Sequence, residues 1–581
     1  MLVQFINNFV KKIEDRMSVL DLSGLGNYKT LLENTLQDLL DKKIIERIWE
    51  KDYTVWSEDP AEISNRLGWL NCVENSKKSL PEIYEFVKNV KAAGFKNALI
   101  LGMGGSSLAP EVFSLIFGKE EKLLDVFVLD STHPEAVKNY VEKLNPKDTL
   151  YIVSTKSGGT VETLSFMKFF YNYVLNQLGE SEVSKHFAAI TDPGSGLQKI
   201  AEELKFSKIF LNDPNIGGRY SALSLFGLVP AALTGVDLEK LLYSAETAVH
   251  KSKITDQNKI LDNNSAVLGA LIGALAEKNI NKLTLIYSDS LKNFGAWLEQ
   301  LIAESTGKNG KGIVPVDMEE VVSSDWYGND RVFVYTRLKD ELPHDKFIFD
   351  LKQKGLPVVE IILEDIYLLG AEFFNWEMAT AIAGWKMKLQ PFDQPNVESA
   401  KVQARNLLSK YQNEGKLPQP EISFEDANLV IYASQKIDGI SEALNLLFSG
   451  IKAGDYVSLQ SFVNPTEETS LLFSQLRSKI LKKYKTATTF GFGPRFLHST
   501  GQLHKGDNGS GIFLQFIESG KLNLGIPNEA LSSKSDVTFD VLIRAQALGD
   551  REALLQAKRR VVTFEVKDDL TKLLKEIISI V

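Results

Sequence analysis

Short, unbroken hydrophobic runs alternate with stretches of helical periodicity along most of the chain. The first such runs lie at residues 98–101, 126–129, 150–153 and 187–190, and each is followed by apolar positions spaced as on a helix face. Runs without polar alternation are typical of strands buried on both faces, and helices between them make the strands parallel. The pattern therefore predicts an α/β fold with a doubly wound parallel sheet.

The same pattern begins again after a helical stretch at about 240–280. Strand-like runs recur at 283–287, 332–335 and 358–362, and again, after a polar connection, at 429–432, 511–514 and 561–564. We therefore expect four regions. They are a helical N-terminal segment at 1–90, a first α/β domain at 91–255, a second at 256–424 and a C-terminal α/β region at 425–581.

Composition and charge narrow the class of protein. Lys plus Arg number 66 against 75 for Asp plus Glu, and a net charge of −9 argues against a nucleic-acid partner. No stretch reaches the ~20 uncharged apolar residues of a membrane span, and the N-terminus has no signal-peptide pattern, so we expect a cytoplasmic protein without a membrane partner. The single cysteine, Cys72, excludes an internal disulfide, and the absence of HExxH and CxxC spacing predicts no structural metal.

Two loops rich in glycine and hydroxyl groups follow predicted strands. Residues 102–107 read Gly-Met-Gly-Gly-Ser-Ser, and residues 154–160 read Ser-Thr-Lys-Ser-Gly-Gly-Thr. Both precede helices and lie at the carboxyl ends of parallel strands, where α/β proteins bind anions, so the two loops are predicted to hold one phosphate. Neither matches GxGxxG or GxxxxGK[ST], which makes a dinucleotide or a nucleoside triphosphate the weaker interpretation.

A glutamate near the end of a predicted helix is a candidate general base. Glu304 shares the apolar face of Leu301 and Trp297, whereas Glu299 points elsewhere. Desolvation raises the pKa of a carboxyl group towards neutral pH, which suits a general base. The alternative is that the side chain bends into water near Gly307.

Basic residues supply further candidates. Lys401 lies on the apolar stripe of a helix that follows Pro395, and the alternative is a lysine whose amine reaches the surface. Arg219 follows two glycines and can hold an oxyanion or enediolate with a fixed charge, although a structural salt bridge is the usual role of an arginine. His498 and His504 lie six residues apart, so at most one should face a given site, and a structural role is the default for either.

Six segments between about residues 97 and 516 resemble the glucose-6-phosphate isomerase family. The segment 217–221, Gly-Gly-Arg-Tyr-Ser, is similar to the most specific signature of that family, and 392–401 is similar to its lysine-bearing helix. The resemblance implies two sugar isomerase (SIS-type) domains, at 91–255 and 256–424. It also implies interconversion of glucose 6-phosphate and fructose 6-phosphate, a step of glycolysis and gluconeogenesis, without a cofactor, and family members are commonly homodimers.

The resemblance also implies a role for each candidate residue. The phosphate would be held by residues of the two loops, namely Gly105, Ser106, Thr155, Ser157 and Thr160, with Lys156 adding charge nearby. Glu304 would move the proton between C1 and C2, and Arg219, with Glu162 close by, would stabilise the enediol. His498 and Lys401 would assist ring opening. Gln394 would contact the sugar.

The order of the segments departs from the family pattern. Here the histidine motif follows the lysine helix, so either the C-terminal region brings His498 to the site or His344 takes its place. We favour His498, because His-Ser-x-Gly-Gln at 498–502 resembles the family motif, with His504 in reserve. The order also resembles the isomerase half of transaldolase/glucose-6-phosphate isomerase fusions, although a transaldolase barrel needs ~250 residues for which the chain has no room.

Two other functions fit part of the pattern. A sugar-phosphate-binding regulator of the same fold would keep the phosphate loops but would lack the base and the lysine. An isomerase of another hexose phosphate, such as mannose 6-phosphate or an amino-sugar phosphate, would keep the phosphate loops as well as the base and the lysine. An amidotransferase would need an N-terminal cysteine, whereas the chain begins Met-Leu-Val. Likeness of fold alone does not separate these functions.

Overall fold

The computed structural model describes residues 18–518 and 522–581, which build three large sheets and the helices that cover them. The first 17 residues of the predicted N-terminal segment lie outside the described residues. The rest of that segment forms β1 (Val19–Asp21), α1 (Lys29–Asp41), α2 (Ile44–Trp49) and α3 (Cys72–Ala92). Within the described residues, no helix has the length and apolar character that a membrane crossing needs.

The first sheet is wholly parallel, as its apolar runs predict, and has the order β3-β2-β4-β5-β6. Its strands are β2 (Asn97–Gly102), β3 (Asp125–Leu129), β4 (Thr149–Ser154), β5 (Phe187–Thr191) and β6 (Lys208–Leu211). Its helices are α4 (Gly105–Phe117), α5 (Pro134–Lys143), α6 (Val161–Leu178), α7 (Glu180–Val183), α8 (Gly196–Glu203), α9 (Leu225–Thr234) and α10 (Leu238–Lys251).

The second sheet has the order β1-β10-β9-β7-β8. Its other strands are β7 (Lys282–Tyr287), β8 (Val314–Val316), β9 (Arg331–Leu338) and β10 (Val358–Leu363). Its helices are α11 (Asn264–Ala276), α12 (Gly295–Thr306), α13 (Asp345–Gln353) and α14 (Leu369–Met387). The edge strand β1 is antiparallel to β10, so the N-terminal segment completes this sheet.

The third sheet belongs to the C-terminal region and has the order β11-β12-β18-β15-β13-β14. Its strands are β11 (Phe424–Glu425), β12 (Leu429–Tyr432), β13 (Tyr456–Phe462), β14 (Ala487–Phe492), β15 (Gly511–Glu518) and β18 (Arg560–Val566), and β16 (Gly525–Ile526) pairs with β17 (Val537–Thr538) outside it. Its helices are α15 (Val397–Glu414), α16 (Ile440–Phe448), α17 (Glu467–Tyr484), α18 (Gly501–Gly506), α19 (Phe539–Gln556) and α20 (Leu570–Ile580). Strands β11 and β12 are antiparallel to their neighbours.

The hydrophobic core joins the first two sheets and leaves the third with a core of its own. One continuous cluster includes Ile100 of β2, Leu285 of β7 and Phe373 of α14, whereas Leu459 and Phe516 belong to a separate cluster in the third sheet. The helices α15 and α19 pack against each other where the C-terminal region meets the first sheet. This junction holds the candidate site.

Candidate active site

The two predicted phosphate loops lie side by side at the carboxyl edge of the first sheet. Gly102, at the end of β2, pairs in register with Ser154, at the end of β4. The helices that follow, α4 and α6, begin with Gly104 and Thr160 as N-caps, and neither cap forms a side-chain hydrogen bond to its helix. In the first turn of α4 the N–H groups of Ser106 and Ser107 donate to the carbonyl oxygens of Met103 and Gly104, at 3.2 and 2.9 Å. The positive end of the α6 dipole, directly after Thr160, is the better placed of the two to meet an anion.

A close backbone contact joins the first loop to the segment that carries Arg219. A Cβ atom at Gly105 would lie 2.0 Å from the carbonyl oxygen of Gly218, so only glycine fits at Gly105. Gly104 has a φ of 56°, in the left-handed region that favours glycine. The loop thus rests directly on the backbone beside Arg219.

Hydroxyl groups predicted to bind the phosphate cluster in the second loop. Thr155 Oγ1 and Thr160 Oγ1 lie 3.1 Å apart, and Ser157 is exposed at the tip of the loop. Ser106 is buried in the first turn of α4. Since a hydroxyl both donates and accepts, this cluster can rearrange around a phosphate oxygen.

Lys156 points away from these hydroxyls. Its ammonium group forms an ion pair with Asp192 and donates to the carbonyl oxygen of Pro214 at 2.7 Å. The side chain therefore neutralises a neighbouring carboxylate, and the free donors of the loop are hydroxyl and backbone groups.

The predicted base, Glu304, lies next to Arg219. Glu304 is buried near the end of α12, as its position on the apolar face predicts, and its Oε1 lies 3.2 Å from Arg219 Nη1. The guanidinium group thus places a positive charge beside the buried carboxylate and compensates it for contacts with water that it loses.

Arg219 is fixed by a full set of acceptors. Its Nε donates to Ser305 Oγ at 2.9 Å, its Nη1 to Gln394 Oε1 at 2.9 Å, and its Nη2 to the carbonyl oxygens of Pro391 and Asp393 at 2.7 and 2.9 Å. These bonds use the rigid fork of the guanidinium group, which a lysine would not reproduce. Arg219 thereby holds Gln394 and Glu304 in one place.

A buried lysine supports the same segment. Lys308 Nζ donates to Asp393 Oδ1 and to its carbonyl oxygen, both at 2.6 Å. Burial, together with the positive charge of Arg219, lowers the pKa of Lys308 to about 8 despite the Asp393 carboxylate. Lys308 and Arg219 share the Asp393 carbonyl oxygen as an acceptor and so fix the residue before Gln394.

His498 forms a pair with Glu162. His498 Nε2 lies 3.0 Å from Glu162 Oε1, and both side chains are largely buried. Burial works to raise the pKa of Glu162, but the His498 imidazole and the Lys401 ammonium outweigh it, and the net pKa is lowered. An ionised Glu162 accepts a hydrogen bond from the imidazole and orients it.

The two reserve histidines lie elsewhere. His504 is buried among Ser458 and Gln460 of β13, and burial, with the charges of Lys505 and Arg559, lowers its pKa well below the ordinary value. His344 precedes α13 and packs on Tyr335, where burial lowers its pKa. The C-terminal region thus brings His498, and neither of these two, to Glu162.

A cavity of about 260 Å³ lies beside the pair of His498 and Glu162, whereas Glu304, Arg219 and Gln394 are not among the residues that line it. Several predicted residues line it, namely Ser157, Thr160, Glu162, Lys401 and His498. Lys401 is exposed on α15, on the same face as Val397, Ala404 and Leu408, which also line the cavity. The apolar stripe predicted for this helix therefore forms a cavity wall, and the Lys401 amine can meet a ligand.

Sequence reasoning missed three polar side chains of the site: Gln300, Lys505 and Gln546. Gln300 Nε2 donates to Glu304 Oε2 at 3.1 Å and to the carbonyl oxygen of His498 at 2.9 Å, which links the base to the histidine segment. Gln300 precedes Glu304 by four residues on α12, a spacing that places both on one face. Lys505 and Gln546 line the cavity from the C-terminal region, and no sequence signal singles them out.

Comparison with known proteins identifies a family. The model of the phosphoglucose isomerase family matches residues 70–324. A probable glucose-6-phosphate isomerase of Methanococcus maripaludis is 30% identical over 437 residues, which cover 68% of this chain and 94% of the relative. The glucose-6-phosphate isomerase of Campylobacter jejuni is 26% identical over 389 residues, which cover 60% of this chain and 93% of the relative.

Solved structures share the fold. A hypothetical protein from Thermus thermophilus aligns with a TM-score of 0.57 and 24% identity, covering 68% of this chain and all of that one. A glucose-6-phosphate isomerase from Chlamydia trachomatis aligns with a TM-score of 0.54 and 18% identity, covering 65% of this chain and 86% of that one. The identity to the Methanococcus relative, together with the match to the family model, shows that the chain belongs to the glucose-6-phosphate isomerase family.

Proposed function

We propose that this protein interconverts glucose 6-phosphate and fructose 6-phosphate through an enediol intermediate. One observation carries the proposal. A buried carboxylate, Glu304, lies 3.2 Å from the fixed guanidinium group of Arg219 and is linked through Gln300 to the segment of His498. This arrangement provides a base and a permanent positive charge for an intermediate that carries negative charge.

The phosphate anchors the substrate at the sheet edge. Thr155, Ser157 and Thr160 supply hydroxyl donors, and α6 begins directly after them at Val161. Because these groups lie at the carboxyl edge of the first sheet, binding at the phosphate positions the sugar carbons for the reaction.

Ring opening is the first chemical step. The hydroxyl group on the anomeric carbon must lose a proton, and the ring oxygen must gain one as its bond to that carbon breaks. His498 and Lys401 both line the cavity, and the Glu162 carboxylate orients the His498 imidazole towards it. The imidazole can therefore hold the proton that moves between the sugar oxygens.

Isomerisation follows on the open chain. Glu304 removes the proton from C2 of glucose 6-phosphate while the C1 carbonyl oxygen gains a proton, which gives the enediol. The C2 hydroxyl group then loses its proton as Glu304 returns a proton to C1, which gives the ketose. The negative charge that develops on the oxygens is stabilised by Arg219, whose position is fixed by Ser305 and Gln394. The reverse sequence converts the ketose to the aldose.

Replacement of Glu304 tests the proposal. Glu304→Gln keeps the size of the side chain but removes the base, so kcat should fall roughly 10²–10⁴-fold with little change in KM. The measurement follows fructose 6-phosphate conversion through a coupled glucose-6-phosphate dehydrogenase. Glu85→Gln, at an exposed position on α3, is the control that should keep wild-type turnover.

Three results would contradict the proposal or part of it. A Glu304→Gln variant that retains most of its kcat would remove this residue from the role of base. Wild-type protein that binds fructose 6-phosphate without turnover would indicate a regulator of the same fold. Turnover of mannose 6-phosphate in preference to glucose 6-phosphate would change the substrate.

We also infer that the chain is of the type found as the isomerase half of transaldolase/glucose-6-phosphate isomerase fusions. The order Glu304, Lys401, His498 supports this relation. So does the length of the chain, since the alignment that covers 94% of the Methanococcus relative covers 68% of this chain. An assay with fructose 6-phosphate and erythrose 4-phosphate should show no transaldolase turnover, because the three sheets leave no barrel among the described residues.

A further inference from the structure

A glutamine of the C-terminal region contacts the Glu162 carboxylate. Gln546 lies on α19, is 5% exposed, and donates through Nε2 to Glu162 Oε1 at 2.7 Å. The same carboxylate oxygen is 3.0 Å from His498 Nε2. Two donors from the C-terminal region thus converge on one oxygen of a side chain from the first sheet.

The orientation of the Gln546 amide is determined by its partners. Thr132, which is fully buried beyond the end of β3, donates through Oγ1 to Gln546 Oε1 at 2.7 Å. A carboxylate accepts and does not donate, so the amide nitrogen must face Glu162 and the amide oxygen must face Thr132. The network runs from Thr132 through Gln546 and Glu162 to His498.

This network fixes the direction of the Glu162 carboxylate through a second donor, in addition to its contact with His498. Leu542, one turn before Gln546 on α19, lines the same cavity, so the helix presents this face to the site. His498 and Lys401 are the charged groups that lower the pKa of Glu162. Gln546 adds a neutral donor, whose hydrogen bond to the carboxylate does not depend on the charge of the imidazole. A hydrogen bond to a charged group contributes about 1.5–3 kcal/mol, enough to affect a rate about tenfold or more.

We propose that Gln546 is a positioning residue for ring opening, which holds the Glu162 carboxylate and, through it, the His498 imidazole. This inference rests on the proposed isomerase function and on the role of His498 within it. Gln546 acts through Glu162 and His498, and Thr132 supports it from the first sheet.

The test compares a substrate that must open a ring with one that has no ring. Fructose 6-phosphate closes its ring through the hydroxyl group on C5, whereas 5-deoxyfructose 6-phosphate lacks that hydroxyl and stays open. Both are assayed by proton NMR in the ketose-to-aldose direction. Gln546→Leu removes the amide with little loss of volume, and Thr132→Val removes the hydroxyl at similar size.

The matched control is Gln556→Leu. Gln556 lies on the same helix, α19, but it is exposed and its amide donates to Glu552 at 3.0 Å, away from the cavity. Thermal unfolding followed by circular dichroism checks that each variant is folded.

We expect Gln546→Leu to lower kcat on fructose 6-phosphate about tenfold with KM within about twofold of wild type. On 5-deoxyfructose 6-phosphate the same variant should stay within about twofold of wild type. Thr132→Val should show the same selectivity with a smaller loss, and Gln556→Leu should show no loss.

Equal losses on both substrates would overturn the inference, because a general structural defect does not distinguish a ring from an open chain. Unchanged rates on both substrates would overturn it as well. Wild-type protein inactive on both substrates would instead contradict the proposed function, so the two failures are distinguishable.

Discussion

Two glutamates of α12, five residues apart, experience opposite electrostatic surroundings. Glu304 lies 3.2 Å from Arg219. Burial, with the negative charge of Asp317, raises the pKa of Glu299 to about 8, although Arg477 and Arg495 partly oppose this. The helical period predicts that Glu299 points away from Glu304. It does not predict the Asp317 carboxylate beside Glu299, because Asp317 follows β8, and a strand of three residues leaves no clear pattern in the sequence.

Replacement of Glu299 should make stability less dependent on pH. In the unfolded chain this group ionises near 4.5, and in the folded protein near 8, so the folded state alone keeps the proton between these values. The contribution of this group to stability is therefore fully present below about pH 4.5, is lost as the pH rises from 4.5 to about 8, and stays at its lowest value above that. Glu299→Gln should raise the melting temperature by a few degrees at pH 9 and change it little at pH 5.

Scanning calorimetry at several pH values measures this difference. Glu85→Gln, on the exposed face of α3, is the control and should shift the melting temperature equally at both pH values. A Glu299→Gln variant whose benefit is larger at pH 5 than at pH 9 would contradict the raised pKa.

At the scale of elements, the predicted strands were those buried in apolar surroundings on both faces. The runs at 98–101 and 150–153 correspond to β2 and β4 because both sheet faces are covered by helices. Strand β13 is fully buried too, but the polar residues Ser458 and Gln460, which contact His504, alternate with its apolar residues. Its sequence therefore has no apolar run. Val19 of β1 pairs with Ile362 of β10, and Leu429 of β12 pairs with Val566 of β18, so two of the antiparallel pairings join residues far apart in the chain, and local pattern does not carry that information.

The contact between the first loop and the Arg219 segment gives a prediction for two glycines. Gly105→Ala should lower the melting temperature, because the new Cβ would lie 2.0 Å from a carbonyl oxygen and must push the two loops apart. Gly218→Ala, on the other side of the same contact, is the control, since no atom lies within 4 Å of its Cβ position. A thermal-shift assay compares them, and equal melting temperatures would contradict the packing described for Gly105.

At the scale of the whole molecule, the candidate residues come from three regions of one chain. Glu162 comes from the first sheet region, Glu304 from the second and His498 from the third. The family resemblance predicts a homodimer, and a dimer of this chain would have two self-contained sites. The candidate residues could be predicted from motifs, but the route by which the C-terminal region reaches them depends on the packing of α15 and α19.

Mixing two inactive variants tests whether a site needs one chain or two. Equimolar Glu304→Gln and His498→Ala proteins, unfolded and refolded together, should stay as inactive as each variant alone, because each chain lacks one group of its own site. The coupled assay with fructose 6-phosphate measures this. Recovery towards a quarter or half of wild-type activity would mean that subunits exchange groups, and a co-refolded wild type is the control for refolding yield.

The third α/β region supplies both of the side-chain donors described for Glu162 Oε1. His498 and Gln546 come from this region, whereas Glu162 and Glu304 belong to the first two. A chain shortened to the first two sheets would therefore keep both carboxylates and leave Glu162 Oε1 without either donor.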